Sequence, residues 1–360
     1  MGLQSVDRPP LIEWGFWPET ISRWQREGLP RDIEVVEFFG FDKWRGAGCL
    51  EHDIKVDLGP IPRFEERIIE ETENYRIRQD QMGVIVKEIK GFTSMPQFLD
   101  FPVKDKHSWE GMKERLNPRD PRRYPLILND AKKVEDINNR DYPLILSGCG
   151  SFFGWIRNMV GLENLLLLYY DDPKLIHDIG DYYEYLILTA QAELVNKIKF
   201  DCVNFWEDMA WKRGPLISPI MFREFVLPHY QQAVKFFKEA GVDIIAVDSD
   251  GNIEELIPLW LEVEVTVFHP MEVAAGMDVR KLGDKYGSQI GFWGNIDKRI
   301  LAASKEDIYR EVTGKVPIFL KKGGFVPFVD HHVPPDIPLE NYLYYQNLLR
   351  NLYGMPNLVP

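Results

Sequence analysis

The chain has 360 residues, 45% of them hydrophobic and 13% aromatic, which is enough for a large core and excludes a disordered protein. Its 43 basic and 56 acidic side chains leave a net charge of −13. No dense Lys/Arg block offsets that deficit, which argues against nucleic acid or anionic membrane as the main partner, although a local arginine cluster can still receive an acidic substrate.

The start, MGLQSVDRPPLIEW, lacks a basic region followed by an apolar one, so no secretory signal is expected. Apolar runs such as LIPLWLEVEVTVF are broken by glutamates and fall short of a membrane span. Cys49, Cys149 and Cys202 are odd in number and far apart, which predicts neither a disulfide framework nor a thiolate zinc knuckle. A soluble protein of the reduced cytoplasm is the expectation.

In chain order, PLIEWGF (10–16) reads as a strand, inside a segment crowded with Trp14, Trp17 and Trp24. Residues 40–140 carry many prolines, charged stretches and short strands such as GVIVKEIKG (83–91). They read as irregular excursions over one domain spanning 1–360. From about 141 to 350 a unit recurs: a short, nearly continuous apolar run, a turn, then an amphipathic helix. The runs are YPLILSG (142–148), CVNFWED (202–208), DIIAVDSD (243–250), VTVFHPM (265–271), QIGFWGN (289–295) and GFVPFVD (324–330), as expected of strands buried on both faces. Helices are predicted over 172–198 and 218–241, the second opening on Ser218-Pro219 and closing at Gly241. Alternating strands and helices predict a parallel sheet. Six such units with an N-terminal strand fit an α/β fold of the (β/α)8 TIM-barrel type, with an N-terminal extension and irregular insertions. An open doubly wound sheet is the alternative, but its glycine-rich dinucleotide fingerprint is missing.

In such a barrel the chemistry sits at the C-terminal ends of the strands. Reading those ends gives Gly148-Cys149-Gly150, Glu207-Asp208, Asp248-Ser249-Asp250, His269, Gly294-Asn295 and Asp330-His331-His332. Asp248 and Asp250 share a face because side chains alternate along a strand, and with His331 from a neighbouring strand they make a candidate divalent-metal site. The competing reading has Asp250 capping a helix that starts near Ile253. Glu207 and Asp208, beside aromatics, are candidate proton donors, with His332. The competitor is an ion pair with Lys212 or Arg213. Trp14, Trp17, Trp206 and Trp293, with Asn252, His269 and Asn295, are candidate substrate contacts, against core packing for each tryptophan.

The stretches GFWGNIDKRILAASKEDIYREV (291–312), GGFVPFVDHHVPPDIPLENYLYY (323–345), YPLILSGCGSFFGWI (142–156), YYDDPKLIHDI (169–179) and VNFWEDMAWKRGPLISPIMFREFVLPHY (203–230) resemble the uroporphyrinogen decarboxylase superfamily. That resemblance implies a (β/α)8 barrel. The tetrapyrrole-decarboxylating branch has an arginine segment for substrate carboxylates and a "FSDI"-type aspartate. This chain matches neither, with only a faint echo in LEHDIKV (50–56). The corrinoid-dependent methyltransferase branch, which includes methylcobalamin:coenzyme M methyltransferases, carries "His-x-Cys-Gly-Asn" at a strand end and a later Cys-Gly. Here DSDGN takes the first place, so the resemblance puts Asp248 where relatives have His, Asp250 where they have Cys, and His331 where they have the second Cys. It implies zinc, though the Asp, Asp, His set is harder and suits oxygen- or nitrogen-bearing donors better than thiols.

The expectations are therefore a methyltransferase acting between a small molecule and a corrinoid held by a partner protein, a metal-free decarboxylase or other lyase on the same barrel, or a non-catalytic small-molecule-binding homologue. No "DxHxxG" corrinoid segment occurs in the chain, so a corrinoid would come in trans.

Overall fold

The computed structural model describes residues 7–44, 54–91 and 95–358. Cys49 and the 50–53 part of LEHDIKV lie outside them. The N-terminal segment 10–16 is extended, and Phe16 bridges Val333 in parallel. The Val333 N–H donates to the Gly15 carbonyl at 2.9 Å and the Trp17 N–H to the Val333 carbonyl at 3.3 Å. Where irregular excursions with short strands were expected, the segment holds a four-stranded antiparallel sheet, β1 (Arg67–Glu71), β2 (Tyr75–Gln79), β3 (Ile85–Ile89) and β4 (Gln97–Asp100), in that spatial order.

The six apolar runs become β5 (Ile145–Ser147), β6 (Cys202–Trp206), β9 (Ile244–Asp248), β10 (Val267–His269), β11 (Gly291–Ile296) and β12 (Phe325–Val329). Between β6 and β9 lies a small ribbon of β7 (Ala210–Trp211) and β8 (Gly214–Pro215). The six strands form one parallel sheet ordered β12-β11-β10-β9-β6-β5. The N-terminal segment meets the chain just past β12 through the Phe16–Val333 bridge. The fold is thus the (β/α)8 barrel type expected from the sequence. Among the described residues, strand pairing does not close the seam between that segment and β5.

Alternation along each strand builds two cores. Cys202, Ala246, Val267, Trp293, Val326 and Phe328 point inward and fill the barrel with Ile12 and Ile145. Val203, Phe205, Ile245, Val247, Phe268 and Phe292 point outward against the helices. The helix Pro173–Lys197 starts at Asp172, whose side chain accepts the Leu175 N–H. Ser218 caps the next helix as expected. The single helix expected over 218–241 is broken at Val226 into Pro219–Phe225 and Leu227–Glu239, because Pro228 has no N–H to continue the ladder. Among the described residues no helix is long and apolar enough to cross a membrane.

Candidate active site at the strand ends

Strand register assembles the middle of the site. Trp206 of β6 and His269 of β10 are both direct partners of Asp248 at the end of β9. Three inward-facing side chains from consecutive strands therefore stand on one level. His269 is fully buried, and its Nε2 lies 2.9 Å from the Asn204 amide oxygen one level deeper. An amide oxygen only accepts, so Nε2 carries the proton and Nδ1 is left as an acceptor. Among the described residues Nδ1 has no hydrogen-bond partner, and it faces Asp248 Oδ1 at 3.8 Å. Burial pushes the imidazole down to about 3, which keeps it neutral. The Trp14 ring meets the same imidazole edge-on at 4.6 Å.

Asp208 and Asp250 extend the acidic group toward solvent. Asp208 has a φ of 43°, a left-handed conformation that aims its side chain back over β9, and its Oδ1 accepts the Asp250 N–H at 3.3 Å. Ser249, buried between the two acids, accepts the Met209 N–H through Oγ at 3.1 Å and so ties the β6 and β9 ends together. Gly251 adopts a φ of +83°, and a Cβ there would lie 2.4 Å from the Ala210 carbonyl oxygen of the ribbon. Only glycine lets the ribbon pack this closely over the turn. Burial, then the proximity of Asp208 and Asp250, pushes the Asp248 carboxyl well above the usual carboxylate range. Asp250 is pushed up to about 7 by burial and by Asp208 and Glu272.

His331 and His332 reach the rim from beyond β12. The Trp17 ring stacks on His331 at 6.1 Å and meets His332 edge-on at 5.8 Å. His331 Nε2 is 3.9 Å from Asp250 Oδ2. Lys298 stands 3.7 Å from both Glu272 and Asp330, and Asp330 also accepts the Val273 and Lys298 N–H groups. Arg157 donates to the Asp208 carbonyl and lies 5.3 Å over the Trp206 ring.

The expected metal trio is divided by this geometry. Asp250 faces His331 while Asp248 faces His269, and among the described residues no three His, Cys, Asp or Glu side chains converge on one point that could hold an ion. The described donor set therefore does not fit the metal that the strand-end pattern implied.

Four other expected residues are placed in structural roles. Glu207 is fully buried and faces the helix Gly154–Val160, not the mouth. Its carboxylate accepts the Ser151 hydroxyl, the N–H groups of Phe152, Phe153 and Gly154, and the Tyr230 hydroxyl, all within 2.7–3.0 Å. Five donors leave no lone pair directed at substrate, so the proton-donor role read for Glu207 is corrected. Asn295, fully buried, donates to the Met271 and Met277 carbonyls at 2.6 and 2.9 Å and holds the loop after β10. Asn252 donates to Ala275 and accepts the Glu254 N–H, thereby organising its own turn. Trp293 packs inside the barrel below the rim. The helix expected near Ile253 begins at Ile257, followed by Pro258, so Asp250 does not cap it.

Sequence reading missed Asn204, a polar residue inside the apolar run CVNFW, whose inward position marks it as a side-chain holder. It also missed Glu13, which is buried and accepts the Trp14 and Val329 N–H groups and the Tyr342 hydroxyl, with burial pushing it up to about 8. Both interrupt otherwise apolar strands, which is the signal that exposes them.

A cavity of about 880 Å³ opens at the opposite, N-terminal end of the barrel, bordered by Arg8, Asp42, Arg140 and Asp201. Its charges neutralise one another in Arg8–Asp42 and Arg140–Asp201 pairs at 2.5 Å. The uncompensated acids and the neutral imidazoles are at the strand C-termini, where barrel chemistry belongs.

The model of the family Uroporphyrinogen decarboxylase (URO-D) matches residues 76–351. Among curated proteins, a uroporphyrinogen decarboxylase of Hordeum vulgare is 30% identical over 50% of this chain and 52% of its own length. One from Legionella pneumophila (strain Corby) is 24% identical over 94% of this chain and 93% of its own. The chain thus spans about half the length of the plant relatives and nearly all of the bacterial one. Among solved structures, a methyltransferase from Methanosarcina mazei superposes with a TM-score of 0.60 at 17% identity, covering 97% of this chain and 95% of that one.

Proposed function

The chain belongs to the uroporphyrinogen decarboxylase family, and on that premise we propose that it moves a methyl group between a small molecule and a corrinoid carried by a partner protein. The observation that carries the reading is the crowding of acids at the mouth. Asp208, Asp248 and Asp250 crowd one rim. The cations facing it among the described residues are already engaged, Arg157 with the Asp208 carbonyl and Lys298 between Glu272 and Asp330. A polycarboxylate tetrapyrrole entering this mouth meets acids that must stay protonated beside it and no free arginine, whereas an uncharged or cationic methyl donor does not.

The residues present can do three things for such a reaction. Trp14, Trp17 and Trp206 give the donor flat apolar walls. Asp250, with its carboxyl at about 7, can exchange a proton with a ligand or a released product near neutral pH. Trp211 is 64% exposed on the ribbon whose carbonyl accepts the Asn252 N–H, so an apolar contact for a partner stands beside the mouth. The corrinoid acts as a co-substrate delivered in trans.

The test is to mix the purified chain with chemically reduced cobalamin and a panel of methylated donors, and to follow methylation of the corrinoid by its absorbance. Enzyme-dependent methylation supports the proposal. Carbon dioxide release from uroporphyrinogen, with no methylation from any donor, would replace it with the decarboxylase reading.

A further inference from the structure

We infer that the methyl donor carries its methyl group on a protonated nitrogen, so that the rim receives a small methylated ammonium ion bearing at least one N–H. This rests on the methyl-transfer reading and specifies the substrate class within it. The acidic group alone does not point to such a ligand. The second observation is His269, which is fully buried, with Nδ1 unpartnered among the described residues and turned toward Asp248.

The hydrogen bond from Nε2 to Asn204 fixes the tautomer and presents Nδ1 as an acceptor. A buried acceptor left empty is destabilising. A neutral ether or a thioether has no hydrogen to give it. An alkylammonium N–H does, and the same ion places positive charge among Asp208, Asp248 and Asp250. The displaced pKa values of Asp248 and Asp250 agree with this, since crowded carboxylates are relieved by a cation. The walls fit as well. Trp14 lies against His269 and Trp17 stacks on His331, so aromatic rings border the acidic rim. Aromatic faces attract alkylammonium ions.

The chemistry balances. The C–N bond breaks with its electron pair going to nitrogen, which leaves as a neutral amine that keeps its proton. The reduced corrinoid supplies the pair for the new C–Co bond, and cobalt passes from Co(I) to Co(III). No general acid is required, because the nitrogen is protonated before the bond breaks.

The experiment is calorimetric titration of the full chain in the presence of a chelator and without corrinoid, using trimethylammonium chloride, tetramethylammonium chloride and tert-butanol. Trimethylammonium is expected to bind at least about tenfold more tightly than tert-butanol, its neutral counterpart of similar shape, a difference of about 1.4 kcal/mol. Asp248→Asn should weaken trimethylammonium by about tenfold or more. His269→Phe should weaken trimethylammonium while leaving tetramethylammonium, which has no N–H, nearly unchanged. Thermal melting of both variants checks that they are folded, and the Asp248→Asn arm stands if His269→Phe is not.

Equal binding of tert-butanol and trimethylammonium, or no ammonium binding, overturns the inference. Equal sensitivity of both ammonium ions to His269→Phe overturns the N–H requirement. The two readings fail separately. Methylation of the corrinoid from a neutral ether without ammonium binding keeps the function and removes this substrate class. Tight ammonium binding with no methyl transfer keeps the cation site and removes the function.

Discussion

Nδ1 of His269 stands 3.8 Å from Oδ1 of Asp248, the two residues being register partners on β10 and β9, and among the described residues that nitrogen has no hydrogen-bond partner. The strand pairing sets the spacing, and Asn204 sets which nitrogen is free. A carboxylate and an imidazole lone pair thus converge on the same small space at the barrel mouth.

The acidity of Asp250 has a consequence for stability. Its folded value of about 7 lies above the ordinary carboxylate value, so the folded state holds a proton that the unfolded chain releases. Folding stability should therefore fall as pH rises from about 4 to about 7. Asp250→Asn should remove that slope. The variant should melt above the parent at pH 8 and level with it at pH 4. The gain should be about 1 kcal/mol after discounting for the partial exposure of the side chain. A melting curve at the two pH values decides it.

Glu207→Gln should destabilise the fold by about 3 kcal/mol, because one carboxylate oxygen that accepts N–H or O–H donors becomes an amide that points hydrogens at them. Denaturant unfolding measures this. A variant of unchanged stability would show that the five-donor arrangement is not a structural anchor.

Asn295 combines a left-handed φ of 58° with bonds to Met271 and Met277. Asn295→Ala should lose both features and cost about 3 kcal/mol. Asn295→Gly keeps the backbone and should cost about 1 kcal/mol less. Comparing the unfolding midpoints of the two variants separates backbone from side chain.

Gly251→Ala should cost about 1–3 kcal/mol and displace the ribbon, since its Cβ would meet the Ala210 carbonyl oxygen at 2.4 Å. Because Asp208 and Asp250 flank that contact, affinity for a rim ligand should fall by more than stability alone explains. Titration alongside melting tests the pairing.

The barrel was readable because strands buried on both faces announce themselves: CVNFW, DIIAVDSD and QIGFWGN each became a central parallel strand. The antiparallel β1–β4 sheet was mostly hidden. RIIEE is exposed along its whole length and shows no alternation of apolar and polar residues. At the site, strand ends identified Asp208, Asp248, Asp250 and the two histidines as rim residues. The direction of a side chain at a strand end was not legible. Glu207 and Asp208 are neighbours in sequence, yet one faces the Gly154 helix start and the other the mouth. The pairing of Asp248 with His269, and of Asp250 with His331, depends on register between strands that no linear pattern encodes.

The most direct measurement of the central claim is corrinoid methylation by the purified chain. With trimethylammonium as donor and reduced cobalamin as acceptor, absorbance should report formation of the methylated corrinoid at a rate proportional to enzyme. The Asp248→Asn variant should be slower by about tenfold or more. Absence of methylation with every donor tested, together with carbon dioxide release from uroporphyrinogen by the same preparation, would contradict the account.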